Sequence, residues 1–205
     1  VGPATVILDP AITLHTPMDL WLSTGVRALD HAVETVCSST PMAISDAGAL
    51  HAMRLLGQSL LINKDRPEDL DARLDSQVAI PLACAGLNRV PYGASHGIGH
   101  QLGAVAGVPH GYTSCILLPH VLAFNSNATR GRQQLISEAL GDATKPARDA
   151  VAELVSRLGM PTRLRDVGVT QDHFDAIARG SLLNAWVRAN PEPIDHADQV
   201  LEILE

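Results

Sequence analysis

Aromatic residues are scarce in this sequence, making up 3% of its 205 residues although 46% are hydrophobic. A core must therefore be built mainly from Ala, Leu, Val and Ile, which favours close-packed helices over an aromatic-rich β-sandwich. Positive charge is also scarce, because 15 Lys and Arg stand against 22 Asp and Glu. The net charge of −7, with no run of basic residues, argues against a nucleic acid or an anionic membrane as the partner.

Long hydrophobic runs and paired cysteines are absent too. No run approaches the roughly 18 apolar residues that a membrane span needs, and the first residues do not resemble a signal peptide. The three cysteines, Cys37, Cys84 and Cys115, are widely spaced and form no CxxC motif. We therefore expect reduced, buried thiols and a cytoplasmic location.

The sequence also lacks a dinucleotide-binding signature. Its glycines are densest between residues 93 and 111, but there they lack G-x-G-x-x-G spacing, a preceding strand and a βαβ context. We therefore expect that this chain does not bind a dinucleotide tightly by itself.

Helix signals dominate the rest of the chain. Thr16-Pro17 and Thr40-Pro41 each combine a capping residue with a proline suited to the first helical turn. Such signals and the apolar spacing predict helices over residues 17–38, 41–63, 65–89, 95–107, 111–124, 130–140, 146–158, 170–186 and 197–204, with Ser95 as an N-cap and a kink at Pro81. The sequence therefore predicts an all-α domain over residues 11–205. Val6-Ile7-Leu8 predicts a short strand, and since one strand forms no sheet, we expect residues 1–10 to end a preceding domain.

Four histidines are the candidates for chemistry. His96 and His100 are four residues apart and share one helix face. His110 follows a Gly-Val-Pro turn, and His31 lies upstream in GVRALDHAVE. Imidazole is the commonest ligand of transition metals and the commonest general acid or base near neutral pH, although an HxxxH pair can also be purely structural. Glycines crowd this segment and indicate close backbone approach, at Gly97, Gly99, Gly103, Gly107 and Gly111.

Two motifs, GVRALDHAVE and SHGIGHQLGAVAGVPHGYTSCILLPHV, resemble the C-terminal helical domain of the iron-containing (group III) alcohol dehydrogenase superfamily. The resemblance implies the helical half of a dehydroquinate synthase-like fold, in a homodimeric oxidoreductase. It implies NADH or NADPH bound mainly by an N-terminal nucleotide-binding domain. It also places His31, His96 and His110 at the three histidine-ligand positions, and His100 at an additional active-site histidine.

One position departs from the family pattern. The family's metal-binding Asp falls on Arg27, and arginine stays protonated and cannot ligate. A unit charge about 4 Å from a divalent ion is worth roughly 8 kcal/mol at an effective dielectric near 20, so reversing its sign opposes a metal. We therefore expect no metal requirement, unless Glu34, one turn after His31, replaces the Asp. Asp30 is expected to point about 100° away from His31.

Maleylacetate reductases are the branch of this superfamily that lacks the Asp and works without metal, and the segment NAWVRANPEPI resembles that branch. The resemblance implies reduction of a small keto-dicarboxylate, maleylacetate, to 3-oxoadipate in bacterial aromatic degradation. Arg27 would then bind a carboxylate or polarise the keto group. We predict His96, with His100, as the catalytic histidine that supplies the proton. His31, His110 and Tyr112 are the further predicted substrate contacts.

Three alternatives stay open at this point. A metal-dependent alcohol dehydrogenase would hold iron or zinc at His31, His96 and His110. A helical module without enzymatic activity would use the histidines for packing only. Arg27, finally, could serve only to pair with Asp30, Glu34 or another helix.

Overall fold

The computed structural model describes residues 4–205, and within this range the chain is helical and contains no β-strand. Its α-helices are α1 Met18–Cys37, α2 Ala43–Asp65, α3 Leu70–Ala83, α4 Ala94–Ala106, α5 His110–Phe124, α6 Arg130–Ala139, α7 Ala147–Leu158, α8 Phe174–Leu182, α9 Ala185–Arg188 and α10 Ala197–Leu204. Short 3₁₀ helices occupy Ile12–His15, Cys84–Gly86, Leu164–Val167 and Gln171–His173. The all-α class predicted from the sequence is confirmed.

The strand predicted at Val6-Ile7-Leu8 is not formed. These residues have no regular structure, and the side chain of Ile7 is 84% exposed. A strand needs a neighbour to pair with its N–H and C=O groups, and the described residues offer none. The first three residues of the predicted 1–10 segment lie outside the described range, and the boundary at residue 10 stays a prediction.

Helix α1 lies in the larger of two hydrophobic clusters. Its buried residues Val26, Leu29 and Val33 recur three or four positions apart and form one apolar face. The helix packs against α2, α3, α5 and α6. At Gly25 the contact with α2 is so close that an added Cβ would lie 2.4 Å from a methyl carbon of Leu60. This packing fixes the helix that carries the first sequence motif.

Helix α5 joins this cluster to a second one, built from α4, α5, α8, α9 and α10. Cys115 and Leu118 belong to the first cluster, whereas Ile116 and Leu117 belong to the second. Because α5 presents apolar residues to both hydrophobic clusters, it is central and buried. The second sequence motif, on α4 and the start of α5, therefore lies beside the first.

Prolines lie at several helix boundaries. Helix α1 begins at Met18 and α7 at Ala147, each within one residue of the predicted start, with Pro17 and Pro146 as the N-cap residues. Thr16 is therefore not the cap of α1, and α2 begins at Ala43, two residues after the predicted start. The helix predicted over residues 65–89 instead ends at Ala83, two residues after Pro81, and continues as a 3₁₀ turn. Pro81 itself lies inside α3, as Pro119 lies inside α5, so a proline does not by itself end either helix.

Two further boundaries were predicted wrongly. Ser95 is not an N-cap, because α4 begins at Ala94 after the cap residue Gly93, and the Ser95 hydroxyl donates to Asp30 instead. The helix predicted over residues 170–186 is interrupted between α8 and α9. There the side chain of Asn184 accepts the N–H of Trp186 and starts a new helix.

The glycines of the second motif have different structural reasons. An added Cβ would lie 2.4 Å from a Val187 methyl at Gly97 and 2.7 Å from Ser23 at Gly111, which confirms close approach at these two positions. Gly107 ends α4 with a positive φ of 68°, a conformation that favours glycine. At Gly103 the nearest atom would be 3.5 Å away, an ordinary contact.

The cysteines are free thiols, and Cys37 and Cys115 are buried as expected. In the described part of the chain, no helix combines the length and apolar character that crossing a membrane requires.

Candidate active site

The two motifs meet at the N-terminal end of α4. Glu34 of α1 accepts the backbone N–H of Gly93 at 3.1 Å and of Ser95 at 2.9 Å. Asn190, from the segment after α9, accepts the N–H of Ala94 at 3.0 Å. These N–H groups are the donors that a helix start leaves unpaired, and a carboxylate is favoured beside the positive end of the helix dipole. Glu34 and Asn190 thus attach two distant segments to α4.

His96 and His31 form a contact that we call the inner pair. The Nδ1 atom of His96 lies 2.7 Å from Glu34 Oε2, and its Nε2 atom lies 3.1 Å from Nδ1 of His31. Because a carboxylate only accepts, His96 donates through Nδ1 and its Nε2 accepts from His31. His96 is fully buried with both ring nitrogens engaged, whereas His31 is half-buried and keeps Nε2 as an acceptor.

The protonation states of this group follow from its burial. Burial lowers the pKa of His31 to about 3, and the neighbouring His96 acts in the same direction. Burial opposes the ionisation of Glu34, but His96 and the N–H groups of Gly93 and Ser95 hold the pKa of Glu34 below its usual value. At neutral pH, therefore, Glu34 is ionised and His31 is neutral.

Arg27 lies one turn before His31 on α1. Its Nη1 atom donates to Ser114 Oγ at 3.1 Å and lies 3.7 Å from Asp30 Oδ2. Asp30 is fully buried, and its Oδ2 also accepts from Ser95 at 2.8 Å and Ser114 at 2.6 Å. The alternative that Arg27 pairs with Asp30 is thus realised in part, while Arg27, with its side chain 14% exposed, also lines a cavity.

Asp30 belongs to this site, although the sequence predicts that it points away from His31. Asp30, Glu34 and His96 offer ligand atoms that all lie within 4.8 Å of one another. Asp30 and Glu34 share one face of α1 at i and i+4, which is a signal that could have identified it. The sequence does not reveal the place of Asp30 in the site, because its partners Ser95 and Ser114 lie far away along the chain.

The polar atoms around Arg27 fit a divalent metal ion poorly, since among the polar side-chain atoms of Asp30, Glu34 and His96 only Asp30 Oδ1 has no partner. Both Glu34 oxygens accept N–H groups, Asp30 Oδ2 accepts two hydroxyls, and His96 Nδ1 donates to Glu34. A guanidinium 3.7 Å from Asp30 opposes a second positive centre at the same place. Among the described residues, the set His31, His96 and His110 does not converge as three ligands within 4.8 Å.

His100 and His110 form the outer pair, with ring centroids 5.7 Å apart. His110 is the first residue of α5 and is exposed, whereas His100 is half-buried. Burial and the charge of Arg27 lower the pKa of His100. The ring of Trp186 lies 4.8 Å from His100 and 5.7 Å from His96, so Trp186 connects the outer pair with the inner one.

The tyrosine beside the histidines is Tyr92. Its ring centroid lies 5.3 Å from that of His31 and 4.7 Å from that of His96, and burial raises its pKa. Tyr112, the tyrosine predicted to contact substrate, packs against both hydrophobic clusters. The signal for Tyr92 was its place in the Val90-Pro91-Tyr92-Gly93 break directly before α4.

A cavity of about 310 Å³ opens beside Arg27 and His31, between α1, α2 and α3. Its size falls at the lower end of the range for small-molecule pockets, about 300–1,000 Å³. The apolar part of its wall comes from Trp21, Gly25, Ala28, Leu56, Leu60 and Ile80. Arg27 is the one charged side chain in this wall, so the cavity combines an apolar interior with a single cation.

Comparison with known proteins places this geometry in context. Residues 21–205 match the family model described as "Fe-containing alcohol dehydrogenase family, C-terminal". The chain is 34% identical to 1,3-propanediol dehydrogenase of Citrobacter freundii over 198 residues, which are 92% of this chain and 51% of that protein. It is 31% identical to maleylacetate reductase of Burkholderia cepacia over 205 residues, 100% of this chain and 57% of that protein.

A solved structure agrees with these sequence matches. The sulfoacetaldehyde reductase from Bifidobacterium kashiwanohense, in complex with NAD⁺, superimposes with a TM-score of 0.81 at 28% identity. The match covers 94% of this chain and 51% of that chain. The present chain thus spans about half the length of the relatives it matches.

Proposed function

The chain belongs to the Fe-containing alcohol dehydrogenase family, and from that premise we propose that it forms the helical part of an NAD(P)H-dependent oxidoreductase that reduces a carbonyl compound without a metal ion. The observation that carries this proposal is Arg27. It brings a fixed positive charge to the cavity beside His31, at the position where the family resemblance implies a metal-binding Asp.

NADH or NADPH is the hydride donor in this proposal. It is bound mainly by a nucleotide-binding domain that precedes the helical domain, since the family model describes a C-terminal part and the described residues contain no sheet. The reacting carbon then lies between that domain and the wall formed by Arg27 and the histidines. A homodimer and a cytoplasmic location belong to the same proposal.

Arg27 stabilises the negative charge that develops on the carbonyl oxygen as hydride arrives. A preorganised cation at a site of developing charge is among the largest contributions to catalysis, and guanidinium donors also fit a substrate carboxylate. In the structure one Arg27 nitrogen is held by Ser114, which orients the side chain. Arg27 therefore replaces the Lewis acid of the metal-dependent members with a cation and hydrogen-bond donors.

His31 is the imidazole that borders the cavity, so it transfers the proton to the reduced oxygen. Because its low pKa keeps it neutral with Nε2 free, His31 takes a proton from water at Nε2 and passes it on to the reduced oxygen, so that hydroxide is left in the solvent and the imidazole returns to its neutral form. His96, the donor predicted from the sequence, lies behind His31 and is positioned by Glu34, so it reaches substrate only through His31. His100, the other histidine predicted to be catalytic, does not line this cavity.

The specific reaction we propose is that of a maleylacetate reductase, in which a small keto-dicarboxylate is reduced, as in the conversion of maleylacetate to 3-oxoadipate during bacterial aromatic degradation. Maleylacetate reductase and 1,3-propanediol dehydrogenase are similarly close relatives. The choice therefore depends on Arg27, which suits an anionic substrate better than a neutral alcohol.

One observation favours a second candidate, a metal-dependent alcohol dehydrogenase. The nearest nitrogens of His31 and His96 lie 3.1 Å apart, a separation that two ligands of one metal ion also adopt. In that case His31, His96 and His110 would hold iron or zinc, and Arg27 would turn away from them.

The decisive experiment combines metal analysis with kinetics on the complete protein, purified without a histidine tag. We expect no bound iron, zinc or manganese, and oxidation of NADH or NADPH with maleylacetate that survives a chelator. Arg27→Ala is expected to lower kcat/KM by about 10²–10³-fold, since it removes the charge that meets the developing oxyanion. Arg54→Ala, at an exposed position of α2, is the control and should stay within about twofold.

The same measurements would identify a metal-dependent enzyme by the opposite outcome. One metal ion per chain, activity lost to the chelator and restored by iron or zinc, and turnover of alcohols would establish the second candidate instead.

A further inference from the structure

We infer that the cavity beside Arg27 is a subsite for an apolar chain attached to the substrate's carbonyl carbon, so that keto acids with an alkyl or aryl tail are substrates in addition to maleylacetate. This inference rests on the proposed metal-independent reduction of a keto acid at Arg27 and extends its substrate class. Maleylacetate would keep its second carboxylate outside this cavity, whereas an apolar tail would fill it.

The helices leave this space because α1 presents small residues to it. Gly25 and Ala28 line the cavity from α1, and Leu56 and Leu60 line it from α2. An added Cβ at Gly25 would lie 2.4 Å from Leu60, so the helices are already in contact there and cannot close further. The cavity is therefore a fixed feature of the packing of α1, α2 and α3.

Most polar groups of the wall have partners within the protein, and the buried atom Gln77 Oε1 is an exception. Trp21 Nε1 donates to Asn63 Oδ1 at 3.0 Å, and Ser76 Oγ lies 2.7 Å from Ser59 Oγ. Gln77 donates to the carbonyl of Asp9 and leaves one side-chain oxygen unpaired. A hydroxyl group on the substrate's alkyl chain could donate to this Gln77 oxygen. The other polar groups of the wall need no polar ligand.

The charge distribution decides which end of a substrate enters. Arg27 is the one cation of the wall, so it binds either the carboxylate or the keto oxygen of a keto acid. A second carboxylate placed in the interior would be buried without a partner, which is strongly unfavourable. An apolar tail, by contrast, gains free energy from leaving water.

Ile80 of α3 is a position at which the size of the cavity can be changed by substitution. Its side chain lines the cavity and is 41% exposed, so replacing it changes the size of the subsite with little effect on the core. Ile44 of α2 is 70% exposed and is not part of the cavity wall, which makes it a matched control position.

The test uses the complete protein with NADH or NADPH and linear 2-oxo acids from pyruvate to 2-oxooctanoate. We expect kcat/KM to rise by about three- to fourfold for each added methylene until the cavity is filled. Ile80→Phe should move the preferred length to shorter chains, and Ile80→Ala to longer ones. Ile44→Phe and Ile44→Ala should keep the wild-type profile.

Two results would overturn the inference. One is a kcat/KM that stays flat or falls with chain length, and the other is an unchanged length profile in both Ile80 variants. If the protein nevertheless reduces maleylacetate or pyruvate without metal, the proposed function stands and only the subsite is refuted. If it reduces no keto acid at all, the proposed function fails as well.

Discussion

The inner pair, His31 and His96, and the outer pair, His100 and His110, place the same side chain in opposite surroundings. His96 is fully buried and bonded to Glu34 at 2.7 Å, which fixes its tautomer and through it that of His31. The outer pair borders Trp186 and ends in the exposed His110. A carboxylate behind an imidazole makes it a fixed element of the site, whereas a histidine without one can adapt to what binds.

Removing Glu34 should break the inner pair and produce the largest effect. Glu34→Ala leaves the N–H groups of Gly93 and Ser95 and the ring of His96 without their acceptor. We expect a loss of about 3–5 kcal/mol in the free energy of unfolding, measured by urea denaturation. The exposed Glu202→Ala is the control, expected within about 0.5 kcal/mol of the wild type. A loss as small as that of the control would mean that water replaces the carboxylate.

Adding a methyl group at Gly97 should displace α9, which carries Trp186 beside the outer pair. An added methyl there would lie 2.4 Å from Val187, the neighbour of Trp186, and overpacking costs about 1–3 kcal/mol. Gly97→Ala is therefore expected to destabilise the fold by that amount in urea denaturation. Gly103→Ala on the same helix meets nothing closer than 3.5 Å and should stabilise the fold by up to about 1 kcal/mol. Equal effects of the two variants would refute the close contact between α4 and α9.

The pH dependence of stability should distinguish the half-buried His31 from the exposed His110. The pKa of His31 is lowered to about 3 by burial and by His96, so between pH 6 and pH 4 the unfolded chain binds a proton that the folded chain does not. Stability contributed by neutral His31 is present above its unfolded pKa and decreases as the pH falls towards 3.

When the free energy of unfolding is plotted against pH, we expect its slope between pH 4 and pH 6 to be smaller in His31→Gln than in the wild type, by up to about 1.4 kcal/mol per pH unit. The measurement is urea denaturation at pH 4, 5, 6 and 7. The exposed His110→Gln serves as the comparison, and a slope that falls as much in this variant as in His31→Gln would remove the distinction between these two histidines.

The sequence predicted the local features of this fold well. The Thr16-Pro17 signal located the start of α1 to within one residue, and the Thr40-Pro41 signal located that of α2 to within two. The family resemblance of the GVRALDHAVE motif predicted that His31 lies near His96, and the two rings are in contact in the structure. These features depend on residues close together in the chain or on motifs that the family shares.

The parts that the sequence did not predict depend on contacts between distant segments. Asp30 joins the site because Ser95 and Ser114, 65 and 84 residues away, donate to it. The same bond to Asp30 explains why Ser95 does not cap α4. Tyr92 rather than Tyr112 lies beside the histidines, because Tyr112 packs between the two clusters. Each of these outcomes needs the relative position of α1, α4 and α5.

The attachment of Glu34 and Asn190 to the start of α4 has a consequence for the order of folding. Glu34 lies 61 residues before Ser95, and Asn190 lies 96 residues after Ala94, so the α4 terminus is complete only when both ends of the domain have docked. Long loops must close before such contacts form, which makes them late events. We therefore expect the backbone amides of Gly93, Ala94 and Ser95 to exchange with solvent deuterium only when the whole domain opens.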